Sequence, residues 1–67
     1  MRSLAIGLRL KQARKEKRLT QDGVAEKLGL TRLSVIKHED GACEIADEKL
    51  ARYADLCGMT LHWIRYS

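Results

Sequence analysis

Thr20, Thr31 and Thr60, together with Gly29, Gly41 and Gly58, cut this 67-residue chain into short segments, and that punctuation restricts it to small helices. Threonine is a good helix N-cap because its hydroxyl accepts one of the orphan N–H groups of the first turn. Glycine closes helices because it adopts the left-handed conformation without penalty. Ser3 can cap a first helix through about Lys17, with Ile6, Leu10 and Ala13 at four-then-three spacing. Thr20 opens a second, in which Val24, Ala25 and Leu28 share a face and Gly29 stops the run. Thr31 opens a third, Arg32 to Glu39, with Val35 and Ile36 inside it, closed by Gly41. A fourth runs from about Asp47 to Cys57, burying Leu50, Tyr53, Ala54 and Cys57 before Gly58. Thr60 starts a last turn, Leu61 to Ile64, that brings Trp63 onto the bundle. Phe and Pro are absent and β-branched residues are scattered, so strands have little support. The expectation is an all-α, compact five-helix bundle forming one domain over 1–67.

Charge adds direction. Residues 1–39 hold ten basic and four acidic side chains, a balance of +6, whereas residues 40–67 hold three and five, a balance of −2. A basic first half joined to a mildly acidic second half suggests one side that faces a polyanion. The longest apolar run, Leu4-Ala5-Ile6, is too short for a membrane helix or a signal peptide. Two cysteines make at most one disulfide, so a secreted disulfide scaffold is disfavoured and a reducing cytoplasm is expected.

The segment from Thr20 to Gly41 carries the most information. Two eight-residue helices flank a turn at Gly29 that is too short for them to lie antiparallel, so they cross steeply with Ala25, Leu30 and Val35 at the elbow. With Val35 and His38 inward, the outer side of the second helix carries Arg32, Leu33, Ser34 and Lys37. Arg32 and Lys37 can reach guanine acceptors in a major groove, and Leu33 can meet a thymine methyl. Gln21, with the free N–H groups at its helix start, can hold a phosphate.

Thr20-Gln21 with Val24-Ala25, Leu28-Gly29, Val35, Glu39, Gly41, Leu50, Tyr53-Ala54, Gly58 and Leu61-His-Trp-Ile64 resemble the Cro and repressor type of helix-turn-helix proteins, the xenobiotic-response-element family. The resemblance runs from Ile6 to Ile64 and implies a lambda-repressor-like fold with the helix-turn-helix at about 20–41. It also implies a sequence-specific double-stranded DNA-binding regulator, a Cro-like repressor of phage or bacterial type, active as a homodimer on a palindromic operator without a cofactor. By the same resemblance Arg32, Leu33 and Lys37 read bases, while Gln21 and Ser34 touch the DNA backbone. Thr31 and Arg18 join them as backbone candidates. Arg14 and Glu39 match an ion pair linking the first helix to the end of the third, and Leu61, Trp63 and Ile64 fall where related proteins form a dimer contact.

Several positions depart from the family. The loop after the third helix is usually basic; here Asp40, Glu44, Asp47 and Glu48 make it acidic, which repels phosphate. His38 replaces an aliphatic residue, and Ile36 stands where a small polar residue is common. Arg18 replaces a frequent glycine or asparagine, so affinity would rest on the side of Arg9, Lys11, Lys15, Arg18 and Lys27.

Each candidate has a plainer alternative. Arg32 and Lys37 are also ordinary solvated helix residues, Gln21 a helix-start decoration, and Trp63 first a core residue. His38 reads as a half-buried core histidine, Cys57 as core and Cys43 as an exposed loop thiol. No set of His and Cys stands at metal-ligand spacing, and no nucleophile–base grouping, carboxylate pair or phosphate-binding glycine loop appears, which argues against an enzyme and against a small-molecule ligand. The competing functional reading is a protein-interaction module, an antitoxin or anti-repressor using Leu33, Ile36 and the acidic loop. A further one is the DNA-binding fragment of a longer repressor.

Overall fold

The computed structural model describes residues 4–66. It contains α1 (Leu4–Glu16), α2 (Gln21–Leu28), α3 (Arg32–Glu39), α4 (Asp47–Cys57) and α5 (Leu61–Tyr66), and among the described residues no strand. Three of the five starts follow one mechanism. The Thr20 hydroxyl accepts the Gly23 N–H at 2.9 Å, that of Thr31 accepts Ser34 N–H at 3.1 Å, and that of Thr60 accepts Trp63 N–H at 3.0 Å. Ala46, before α4, makes no side-chain cap. Ser3, the expected cap of α1, lies outside the described residues. The helix α5 continues to Tyr66, two residues beyond the expected Ile64.

The turn between α2 and α3 is built on Gly29. At φ +69° it is left-handed, which lets its own N–H reach the Glu26 carbonyl and that of Leu30 reach Ala25 at 2.8 Å. The chain then redirects within two residues, so Thr31 starts α3 at once.

Leu10, Val24, Ala25, Leu28, Val35, Leu50, Tyr53, Ala54 and Ile64 form one core drawn from all five helices. Around it α1 packs on α3, α4 and α5, while α2 packs on α3 and α4. The domain measures about 25 × 22 × 19 Å. The crossing of α1 over the end of α3 depends on Gly7. A Cβ there would come within 2.8 Å of the His38 carbonyl oxygen and closer still to that of Glu39, so only glycine lets the two backbones touch. Among the described residues no helix is long and apolar enough to cross a membrane.

Candidate nucleic-acid interface

Inward and outward residues interleave along α3. Val35, His38 and Glu39 are buried, whereas Arg32, Leu33 and Lys37 are exposed and Ser34 and Ile36 are half-buried. Leu33 is 59% exposed. The three residues expected to read bases therefore stand together on the open side of the helix, and Ile36 flanks them with part of its side chain covered.

The inward residues tie the last turn of α3 to three other helices. Glu39 accepts from Arg14 Nε at 2.7 Å and Nη2 at 3.2 Å, and its Oε1 also accepts Gln21 Nε2 at 3.2 Å. Arg14 in turn donates from Nη1 to the Leu19 carbonyl at 2.9 Å. The expected ion pair of Arg14 and Glu39 is thus formed, and it is buried. One step earlier, His38 Nδ1 lies 2.6 Å from the Tyr53 hydroxyl, with the two rings edge to face. Burial, helped by the charge of Lys49, pushes the His38 pKa down, so the ring is held neutral; burial drives the Tyr53 phenol up. His38 is more deeply placed than its expectation as half-buried, because its partner on α4 satisfies the ring nitrogen.

The remaining expected contact residues are arranged unevenly. Gln21 begins α2 as anticipated, but its carboxamide N–H₂ is engaged by Glu39, leaving the carbonyl oxygen and the helix-start N–H groups for an outside partner. Thr31 Oγ1 donates to Ser34 Oγ at 3.0 Å while accepting the Ser34 N–H, so the two hydroxyls work as a pair at the start of α3. Arg18 is exposed and has φ +57°, the only left-handed residue other than glycine among those described. The turn from α1 into α2 needs that conformation, which brings the Arg18 N–H to the Lys15 carbonyl at 2.9 Å and the Leu19 N–H to the Arg14 carbonyl at 3.0 Å.

Two expectations are corrected. Arg9, expected on one basic side with Lys11, Lys15, Arg18 and Lys27, is engaged elsewhere: its Nη1 donates to the Ile64 carbonyl at 2.9 Å, turning it toward α5. Ile64 is not available to a dimer partner, because its side chain is 0% exposed and fills the core of its own chain. Leu61 and Trp63 are half-buried against that core. The exposed residues of α5 are His62 and Tyr66, whose rings lie 5.1 Å apart, while Arg65 is half-buried and paired to Asp47.

Three features escaped the sequence reading: Asp22 beside Arg32, Tyr53 as the partner of His38, and Arg52 Nη2 donating to the Leu28 carbonyl at 2.9 Å. Asp22 and Arg32 occupy the first turns of two helices that cross, and that adjacency was the signal available. Among the described residues, no group of three or more His, Cys, Asp and Glu side chains is placed to hold a metal ion. The Cys57 thiol is buried, which pushes its pKa up, and Cys43 is half-buried rather than exposed.

Known structures share this geometry. The restriction-modification controller protein C.AhdI from Aeromonas hydrophila superposes with a TM-score of 0.83 at 24% identity, over 91% of this chain and 92% of that one. The biofilm master regulator SinR, solved in complex with DNA, gives a TM-score of 0.81 at 27% identity, over 88% and 95%. Hydroxypropylphosphonic acid epoxidase from S. wedmorenis also matches, with a TM-score of 0.85 at 25% identity over 94% of this chain, but over only 34% of the enzyme. No match to a curated protein is found. The family model of the helix-turn-helix domain matches residues 5–63, most of the chain and all five helices in part or whole. The chain belongs to the helix-turn-helix domain family.

Proposed function

We propose that this protein is a sequence-specific double-stranded DNA-binding transcriptional regulator, a Cro-like repressor rather than an enzyme, with α3 entering the major groove. The observation that carries this reading is the division of α3 into a buried anchoring side and an exposed side bearing Arg32, Leu33 and Lys37. The likeness to SinR, a master regulator for biofilm formation solved in complex with DNA, supports it. Arg32 and Lys37 supply donors for guanine O6 and N7, and Leu33 supplies an apolar contact for a thymine methyl. Gln21, Thr31 and Ser34, at the starts of α2 and α3 where helix N-termini favour anions, hold the flanking phosphates together with Arg18 in the turn before α2.

The acidic stretch of Asp40, Glu44, Asp47 and Glu48 does not suit the phosphate strand that a basic loop would follow. Backbone affinity then comes from the α1–α2 side, through Lys15, Arg18 and Lys27. A homodimer on a palindromic operator, formed through the outer surface of α5 with Leu61 and Trp63 at its margin, goes with this reading, as does a cytoplasmic location.

Selection of bound duplexes from a randomised DNA library tests it. The expected result is an enriched palindrome whose half-sites lie one helical turn apart, roughly 34 Å. Absence of any enriched sequence, with folded protein at low salt, overturns it.

A further inference from the structure

We propose that Asp22 is a specificity-determining residue that holds Arg32 for base reading and withholds it from phosphates. This rests on the DNA-binding reading above. Asp22 lies in the first turn of α2 and Arg32 is the first residue of α3. Arg32 Nε stands 3.9 Å from Asp22 Oδ1, and both side chains are largely exposed, at 62% and 75%. They line one open depression with Arg14, Leu19, Thr20 and Gln21.

The atom that makes the contact matters. A carboxylate beside Nε meets the side edge of the guanidinium and leaves its end-on edge free, where one N–H of each terminal nitrogen forms the fork that matches guanine O6 and N7. Arg32 can therefore keep its carboxylate neighbour while reading a base. An approach to a phosphate is different. A phosphate that Arg32 took up while still beside Asp22 would be brought against the carboxylate, and two anions repel. Moving Arg32 to a more distant phosphate breaks its contact with Asp22. Asp22 thus penalises the contacts that every sequence offers and leaves untouched the one that a particular base offers.

Position at a helix start already explains an acidic residue, since carboxylates favour the positive end of the helix dipole. That role predicts only an effect on folding. A role in specificity predicts opposite changes for two kinds of DNA.

The test is Asp22→Asn, which keeps size and hydrogen-bonding capacity at an exposed position, measured against the best selected duplex and an unrelated one. Affinity for the unrelated duplex should rise roughly threefold while that for the selected duplex stays level or falls, so their ratio drops roughly three- to tenfold. Library selection should show the preference weakened at one base position, and adding Asp22→Asn to Arg32→Ala should change that position no further. A uniform change for both duplexes, with base preference intact, overturns the proposal and leaves Asp22 a helix-start charge. Failure of the unaltered protein to select any sequence would instead remove the DNA-binding reading itself, before any variant is compared.

Discussion

Glu39, 4% exposed, receives two hydrogen bonds from Arg14, 8% exposed, and so fastens the end of α3 to the last turn of α1 inside the protein. A buried pair gains little over a well-packed apolar pair, because both charges lose their hydration. Removing one member is costly, because the other is left buried and uncompensated. Arg14→Met or Glu39→Leu alone should lower unfolding free energy by about 3–5 kcal/mol, a large part of what a domain this small possesses. The double variant should recover most of that loss. Urea unfolding measures all three; a double variant as unstable as the singles would show that the pair itself, not the stranded charge, carries the stability.

Arg32 and Lys37 should each govern one base position. Substituting either with alanine is expected to cost about 1–3 kcal/mol at the matching base and little at the others. A loss spread evenly over all sequences, with a shallower dependence on salt, would identify the side chain as a phosphate contact instead. Competition binding with single-base operator variants distinguishes the two patterns.

Arg18 holds a backbone conformation that costs an L-residue with a Cβ about 1–2 kcal/mol. Glycine removes that strain and returns about half of it through greater freedom of the unfolded chain. Arg18→Gly should therefore stabilise the fold by about 0.5–1 kcal/mol, read as a higher urea midpoint with an unchanged slope. On the proposed function the same variant should weaken DNA binding at every sequence alike. A stabilised protein that binds DNA as before would make Arg18 a residue without a contact.

His38 should make stability depend on pH on the acidic side of neutrality. Its folded pKa is lowered by burial and then by Lys49, so the unfolded chain takes up a proton first as pH falls. Stability is full above the ordinary histidine range near 6.5 and declines as pH drops below it. One such group gives a slope of at most about 1.4 kcal/mol per pH unit. Unfolding followed between pH 7.5 and 5 should show this decline, and His38→Gln should flatten it. Tyr53→Phe should lower stability at neutral pH by about 1 kcal/mol or more by removing the partner of a buried ring nitrogen.

The helix boundaries were legible because their signals are local. Thr20, Thr31 and Thr60 cap, Gly29 and Gly58 stop, and Val24, Ala25 and Leu28 bury together as their spacing requires. What failed was the orientation of side chains near the ends. The six residues of α5 make too few turns for periodicity to reveal a face, so nothing in the spacing set Ile64, a core residue, apart from Leu61 and Trp63 among the dimer-contact positions that the resemblance implied. Arg9 shows the same difficulty: a rotation of one residue about α1, about 100°, decides between a basic surface and the Ile64 carbonyl. The outward triad of Arg32, Leu33 and Lys37 was readable because Val35, His38 and Glu39 on one short helix leave only one other side. The pairings of Gln21 with Glu39, His38 with Tyr53 and Asp22 with Arg32 join different helices, and only the packed chain brings them together.

The missing side chain at Gly7 has a consequence for how this protein can change. With α1 lying directly on the carbonyls of His38 and Glu39, the tail of α3 has no room to roll or slide. Replacements at 32, 33 and 37 therefore alter the chemistry of an outer surface whose seat does not move with them. New preferences can be written there one residue at a time, each inheriting the same stance toward whatever α3 faces, while any enlargement at position 7 would tilt them all together.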